Sequence, residues 1–148
     1  MSKNTPLKIC LATSELTPLA KAGGLADVCS ALSAYLHRAR HDVRVLLPRY
    51  SIIDSQGLDI VPVDYLQRIP MRIGAREGHF FIDTVRLPGT TLGIYLVRCP
   101  ELYDRAGIYT SEADEYLRFV LLSRAAIEMC QHMGFAPDVF HCHDWHTA

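Results

Sequence analysis

Two apolar runs, residues 7–12 and 43–47, bracket a stretch in which Leu25, Val28, Cys29, Leu32 and Leu36 recur at helical spacing behind Gly23-Gly24. Pro48 stops the second run. The order is strand, glycine turn, amphipathic helix, strand, a βαβ unit of about the usual 30 residues. Its two strands lie parallel and are joined by a right-handed crossover. Parallel strands need cover on both faces, so this one pattern selects a layered α/β architecture.

Beyond it, residues 59–68, 79–87 and 91–98 carry β-branched and aromatic side chains with Gly or Pro nearby, which predicts three further strands with hairpin links. Helical spacing returns over residues 112–133, where Leu117, Val120, Leu121, Arg124, Ala125 and Glu128 give one apolar and one charged face, and Gly134 and Pro137 end the helix. Residues 139–142 read as a short strand opening into His143-Asp144-Trp145-His146-Thr147-Ala148, where the next helix should begin. No crossover helix follows to cover that strand. The expectation is therefore a single partial domain over residues 1–148, incomplete at its C-terminus and the first part of a larger α/β protein.

Composition agrees with a globular domain. A chain of 148 residues buries roughly 70% of the surface its unfolded form exposes. With 49% hydrophobic and 21% charged residues it can build a core without metal or disulfide staples, which excludes disorder. Fifteen Lys and Arg oppose sixteen Asp and Glu, a net charge of −1, so the basic field that nucleic-acid or anionic-membrane binding needs is missing. Residues 1–6 lead into an apolar stretch too short for a signal-peptide core, and no segment approaches the ~20 apolar residues of a membrane span. A soluble cytoplasmic protein is expected. Cys10, Cys29, Cys99, Cys130 and Cys142 contain no Cys-x-x-Cys pair and are odd in number, which reads as reduced thiols.

Two clusters could carry chemistry. Lys21-Ala22-Gly23-Gly24-Leu25-Ala26-Asp27 sits between the first strand and its helix. In an open parallel sheet ligands bind outside the carboxyl ends of the strands, and a helix N-terminus there offers unpaired N–H groups to an anion. Paired glycines let a phosphate or sugar approach the backbone, and Lys21 adds a cation. The same residues also fit a plain glycine turn, with Lys21 in solvent and Asp27 favoured by the helix dipole. The second cluster, His141-Cys142-His143-Asp144-Trp145-His146, would face the same crevice. It could be a helix start with Asp144 as N-cap and Trp145 in the core, or a metal site on His141, His143 and His146. Asp114 and Glu115 fit a dipole-favoured first turn, with Arg118 on a solvated face pairing with Asp114. Tyr103-Asp104-Arg105 with Gly107 and Tyr109 reads as a structural loop.

In order, Ser14-Glu15, Pro18, Lys21-Ala22-Gly23-Gly24-Leu25-Ala26-Asp27-Val28, Val45-Leu46-Leu47-Pro48-Arg49-Tyr50, Leu102-Tyr103-Asp104-Arg105, Gly107-Ile108-Tyr109, Arg118-Phe119, Pro137-Asp138-Val139 and the 143–148 run span nearly the whole chain. This series resembles the bacterial glycogen synthase and plant starch synthase family, ADP-glucose-using glycosyltransferases with the two-domain GT-B fold. Ala22 stands where the family carries Thr, and Asp114-Glu115 where it usually carries Asp-Asn.

The resemblance implies a Rossmann-like, parallel-sheet N-terminal domain on the glucan side of a GT-B enzyme, without the C-terminal nucleotide-binding domain. It implies transfer of glucose from ADP-glucose to the non-reducing end of an α-1,4-glucan with retention, with no metal or other cofactor. Lys21, Gly23, Gly24 and His143 would hold ADP-glucose, while His146 and Asp114 would act at the transferred sugar. Half the cleft would be absent, so the isolated chain is expected to be inactive. Uncovered apolar surface would favour its self-association. The alternative is a free-standing α/β module that binds a phosphorylated ligand or partner without catalysis.

Overall fold

A computed structural model of the chain describes residues 5–148. The leader reading over residues 1–4 lies outside the described residues. In chain order the elements are β1 (Lys8–Ala12), α1 (Gly24–Arg38), β2 (Asp42–Pro48), α2 (Ser51–Asp54), β3 (Val61–Pro62), β4 (Ile69–Ile73), β5 (Arg76–Arg86), β6 (Gly93–Arg98), α3 (Pro100–Tyr103), α4 (Glu115–His132) and β7 (Val139–Cys142). Short 3₁₀ turns occupy Asp64–Leu66 and Trp145–Thr147.

The expected βαβ unit is present. β1 and β2 pair in parallel with Ile9 opposite Val43 and Leu11 opposite Val45. β7 joins the other side of β1 in parallel, with Leu11 opposite His141, and β6 joins β2. The full order is β3-β5-β6-β2-β1-β7, with β4 paired to β5. Four parallel strands thus make the Rossmann-like centre, and β5, β3 and β4 extend it as antiparallel hairpins. The chain leaves β1 toward β2 and crosses back from β6 through α4 to β7. Right-handed crossovers in opposite directions put α1 and α4 on opposite faces. Between them Cys10, Leu11, Val45, Leu46, Leu47, Ile94 and Leu96 are buried, joined from α4 by Leu121, Leu122, Ala125 and Met129.

Helix ends follow from local chemistry. α4 stops where Gly134 takes φ 60°, the left-handed conformation that Gly adopts without Cβ strain. Phe135 N–H then reaches the Cys130 carbonyl at 2.9 Å and Gly134 N–H the Gln131 carbonyl at 3.1 Å, closing a Schellman motif. α1 ends in the same motif, with Arg40 in the left-handed position at φ 72°.

Three sequence expectations need correction. The strand read over 59–68 is a two-residue β3 followed by a 3₁₀ turn, and the strand proper is β4, displaced toward the C-terminus. Its alternation of Ile69, Met71 and Ile73 runs through Pro70, which is tolerated because β4 pairs only with β5 and so lies at an edge. The long helix begins at Glu115 rather than near residue 112. Arg118 does not lie on a solvated face: its side chain has no exposed surface.

All five cysteines carry free thiols, four buried and Cys142 exposed. Among the described residues no helix is long and apolar enough to cross a membrane.

Candidate active site

Because the sheet order turns at β1 and β7, the loops leaving their carboxyl ends border an open crevice. The loop after β1 is fixed from within. Leu16 and Ala20 exchange backbone hydrogen bonds at 2.8 and 2.9 Å, Leu16, Leu19 and Ala20 are buried, and Ser30 on α1 donates to the Thr17 carbonyl. That anchoring delivers Glu15 beneath the glycine loop, where its carboxylate accepts the N–H groups of Ala22 and Gly23, both at 2.9 Å. Burial alone would raise the Glu15 carboxyl, but the Tyr109 hydroxyl and those two N–H groups hold it below the ordinary value.

Gly23 precedes α1 in an extended conformation, and no side chain caps the helix. The first-turn N–H groups therefore keep their partial positive charge available. A Cβ added at Gly23 or Gly24 would meet nothing within 4 Å, so these glycines leave open space. Lys21 turns aside, its ammonium 2.7 Å from Asp27, whose second oxygen accepts from Thr17.

The loop after β7 turns at Asp144, with φ 63° and ψ −178°, a region that glycine dominates and that costs about 1–3 kcal/mol for other residues. Asp144 caps the following 3₁₀ turn by accepting from Trp145 N–H, so its N-cap assignment stands, whereas Trp145 is 61% exposed and not in the core. The turn sends His146 inward to 6% exposure. Its imidazole stacks on Tyr109 at 4.9 Å and 19°, meets Phe119 edge-on at 4.7 Å, and leaves Nδ1 without a partner. Burial lowers the His146 pKa against the pull of Asp144, Glu15 and Glu115, favouring a neutral ring.

These groups converge. A cavity of about 550 Å³ is lined by Glu15, Gly23, Gly24, Tyr109, Glu115 and His146, together with Leu25, Thr110, Asp144 and Trp145. Its size suits a small-molecule ligand. Of the residues singled out in the sequence, Gly23, Gly24 and His146 line it. Lys21, His143 and Asp114 do not. His143 instead stacks on His141 at 4.3 Å, and burial followed by that neighbour lowers its pKa. Asp114 is held by Arg105 at 2.9 Å and Arg76 at 3.1 Å, and the Arg105 hydrogen bond leads in lowering its pKa. The expected Arg118–Asp114 pair is replaced by Arg118–Glu115 at 2.9 Å. Among the described residues no group of three or more His, Cys, Asp or Glu side chains is arranged to hold a metal ion.

Sequence reasoning placed Glu15 only within a motif and read Tyr109 as a structural loop residue. The first had a usable signal, a carboxylate just past the carboxyl end of β1. Nothing local to Tyr109 marks it, because its partners are distant in the chain.

The model of the starch synthase catalytic domain matches residues 8–148. Glycogen synthase 1 of Geobacter sulfurreducens is 43% identical over 148 residues, covering 97% of this chain and 29% of that protein. The glycogen synthase of Treponema denticola is 38% identical over 144 residues, covering 94% of this chain and 28% of that protein. The catalytic domain of starch synthase IV from Arabidopsis thaliana, solved bound to ADP and acarbose, superposes with a TM-score of 0.83 at 29% identity, covering 97% of this chain and 29% of that one. The chain thus spans under a third of the length of the relatives it matches. With a family match over almost all of its residues and the α/β fold of a GT-B glycosyltransferase, this chain belongs to the starch synthase catalytic domain family.

Proposed function

We propose that this chain forms one wall, the N-terminal domain, of a cytoplasmic glycogen or starch synthase that moves glucose from ADP-glucose to the non-reducing end of an α-1,4-glucan with retention. The observation that carries this is the convergence of an uncapped α1 N-terminus, the Glu15–Tyr109 pair and a buried His146 on one cavity.

Breaking the bond between glucose and diphosphate builds negative charge on the phosphates and positive charge on the ring, and fixed charges facing each lower the barrier. The first-turn amides of α1 serve the phosphates, and Lys21 joins them by leaving Asp27. His146, kept neutral by burial, hydrogen-bonds a sugar hydroxyl, with His143 supporting its turn through a carbonyl that accepts from Thr147. Glu115 is the acid of the α4 first turn that lines the cavity, and Asp114 supports it through Arg105, which pairs with Asp114 and lies 3.8 Å from Glu115.

By itself the chain supplies one side of a cleft. It is expected to incorporate no glucose, and its exposed Tyr116, Val120, Ile127 and Trp145 are expected to drive self-association visible by sedimentation.

Titration of the labelled chain with millimolar ADP-glucose, followed by amide NMR, tests the assignment. Shifts concentrated at Gly24, Leu25, Tyr109 and His146 are expected. Shifts scattered elsewhere, or none, would overturn it.

A further inference from the structure

Among the described residues Arg118 is the largest fully buried side chain. A hydrocarbon of similar volume would fill its place without the cost of desolvating a cation. What the guanidinium adds is placement of backbone. Its Nε donates to the Leu102 carbonyl at 2.8 Å, Nη1 to the Ile108 carbonyl at 2.7 Å and to Glu115 at 2.9 Å, and Nη2 to the Gly107 carbonyl at 3.2 Å. Glu115, one turn earlier on α4, accepts from the N–H and the hydroxyl of Thr110. The residues on both sides of Tyr109 are thus gripped by two side chains that also grip each other.

Between those grips Tyr109 has little freedom. Its hydroxyl donates to Glu15 at 2.6 Å, so the hydroxyl of Ser14, 2.8 Å away, donates to it, and its ring lies over His146. Glu15 passes the constraint to the N–H groups of Ala22 and Gly23.

We propose that Arg118, clamped to Glu115, is a positioning residue of the sugar-nucleotide site: it sets Tyr109, and through Tyr109 both the His146 ring and the glycine loop. The word "site" rests on the function proposed above, but the relay itself does not.

The test uses this chain, with Arg118→Lys, Thr110→Val and Tyr109→Ala made singly and in pairs. A single ammonium cannot reach three carbonyls and a carboxylate, so Arg118→Lys loosens the loop. The readouts are the melting temperature, the NMR titration of the His146 ring and the amide resonance of Gly23. His146 is faced by Asp144, Glu15 and Glu115 as well as by the rings of Tyr109, Phe119 and Trp145. Glu115 and Glu15 are partners of Arg118 and Tyr109, so comparison with and without Tyr109 separates a direct effect of Glu115 from one carried by the Tyr109 ring.

The expected result is an upward move of the His146 titration and a shifted Gly23 amide in Arg118→Lys and, more weakly, in Thr110→Val. Both effects should vanish in the Tyr109→Ala background, the non-additivity of a chain of contacts. A lower melting temperature with His146 and Gly23 unmoved would overturn the proposal, as would equal effects with and without Tyr109. If Arg118→Lys fails to fold, Thr110→Val, outside the core, carries the same test alone. None of these readouts depends on glucose transfer, so failure of the clamp and failure of the functional assignment are separately visible.

Discussion

The phenol of Tyr109 donates a 2.6 Å hydrogen bond to the carboxylate of Glu15, 94 residues earlier in the chain. Through it, the loop before α4 is joined to the loop after β1, while the other oxygen of Glu15 holds the backbone ahead of α1. Both ends of the connection between β1 and α1 and the loop before α4 are thereby fixed at hydrogen-bond distance.

Tyr109→Phe keeps the ring over His146 and removes the hydroxyl that donates to Glu15 and accepts from Ser14. Glu15, 4% exposed, then loses one of its hydrogen bonds, which should lower stability by about 1–3 kcal/mol. Urea unfolding of the variant checks this. An unchanged midpoint would show that the pair does not bear on stability.

Gly24→Ala separates folding from binding. The position is helical and a Cβ there meets nothing within 4 Å, so stability should hold or rise by up to about 1 kcal/mol. ADP-glucose-induced amide shifts should weaken, because the methyl occupies space the ligand needs. Thermal melts together with NMR titration distinguish this outcome from a merely structural glycine.

Acid should weaken the fold before any carboxylate of ordinary strength titrates. His143 and His146 both have folded pKa values below their ordinary 6.5, so the unfolded chain takes up protons first as pH falls. Stability is full above about pH 6.5 and declines below it, with the lowered Glu15 adding a second loss at more acidic pH. Melting temperatures at steps from pH 8 to pH 5 should fall on the acid side, and less so for His146→Gln.

Arg40 occupies the left-handed position after α1 at φ 72°. Arg40→Gly should stabilise the chain by about 0.5–1 kcal/mol, since Gly takes that conformation without Cβ strain. Urea denaturation reads the change directly.

The parts of this architecture written in local pattern were legible from the sequence. The apolar runs around β1 and β2 and the glycines ahead of α1 are contiguous, and Gly134 marks the end of α4 because Gly takes the left-handed conformation there without strain. What the sequence concealed was set by distant partners. Arg118 looks like one charge on an amphipathic helix until residues 102–108 fold over it. Trp145 looks like core, yet the strained Asp144 turn sends His146 inward instead. Lys21 has the spacing of a ligand cation, but Asp27 lies closer to hand. Tyr109 meets Glu15 and His146, neither of which is near it in the chain.

The central claim is that this chain is a working wall of an ADP-glucose-dependent synthase. The most direct test is to let it replace the matching segment of the Geobacter sulfurreducens relative, 43% identical to it, and measure incorporation of glucose from ADP-glucose into glycogen. The chimera is predicted to be active, and to lose on the order of a hundredfold or more when His146→Ala removes the buried ring from the cavity. A folded, monodisperse chimera that transfers no glucose, or one indifferent to His146→Ala, would contradict the account.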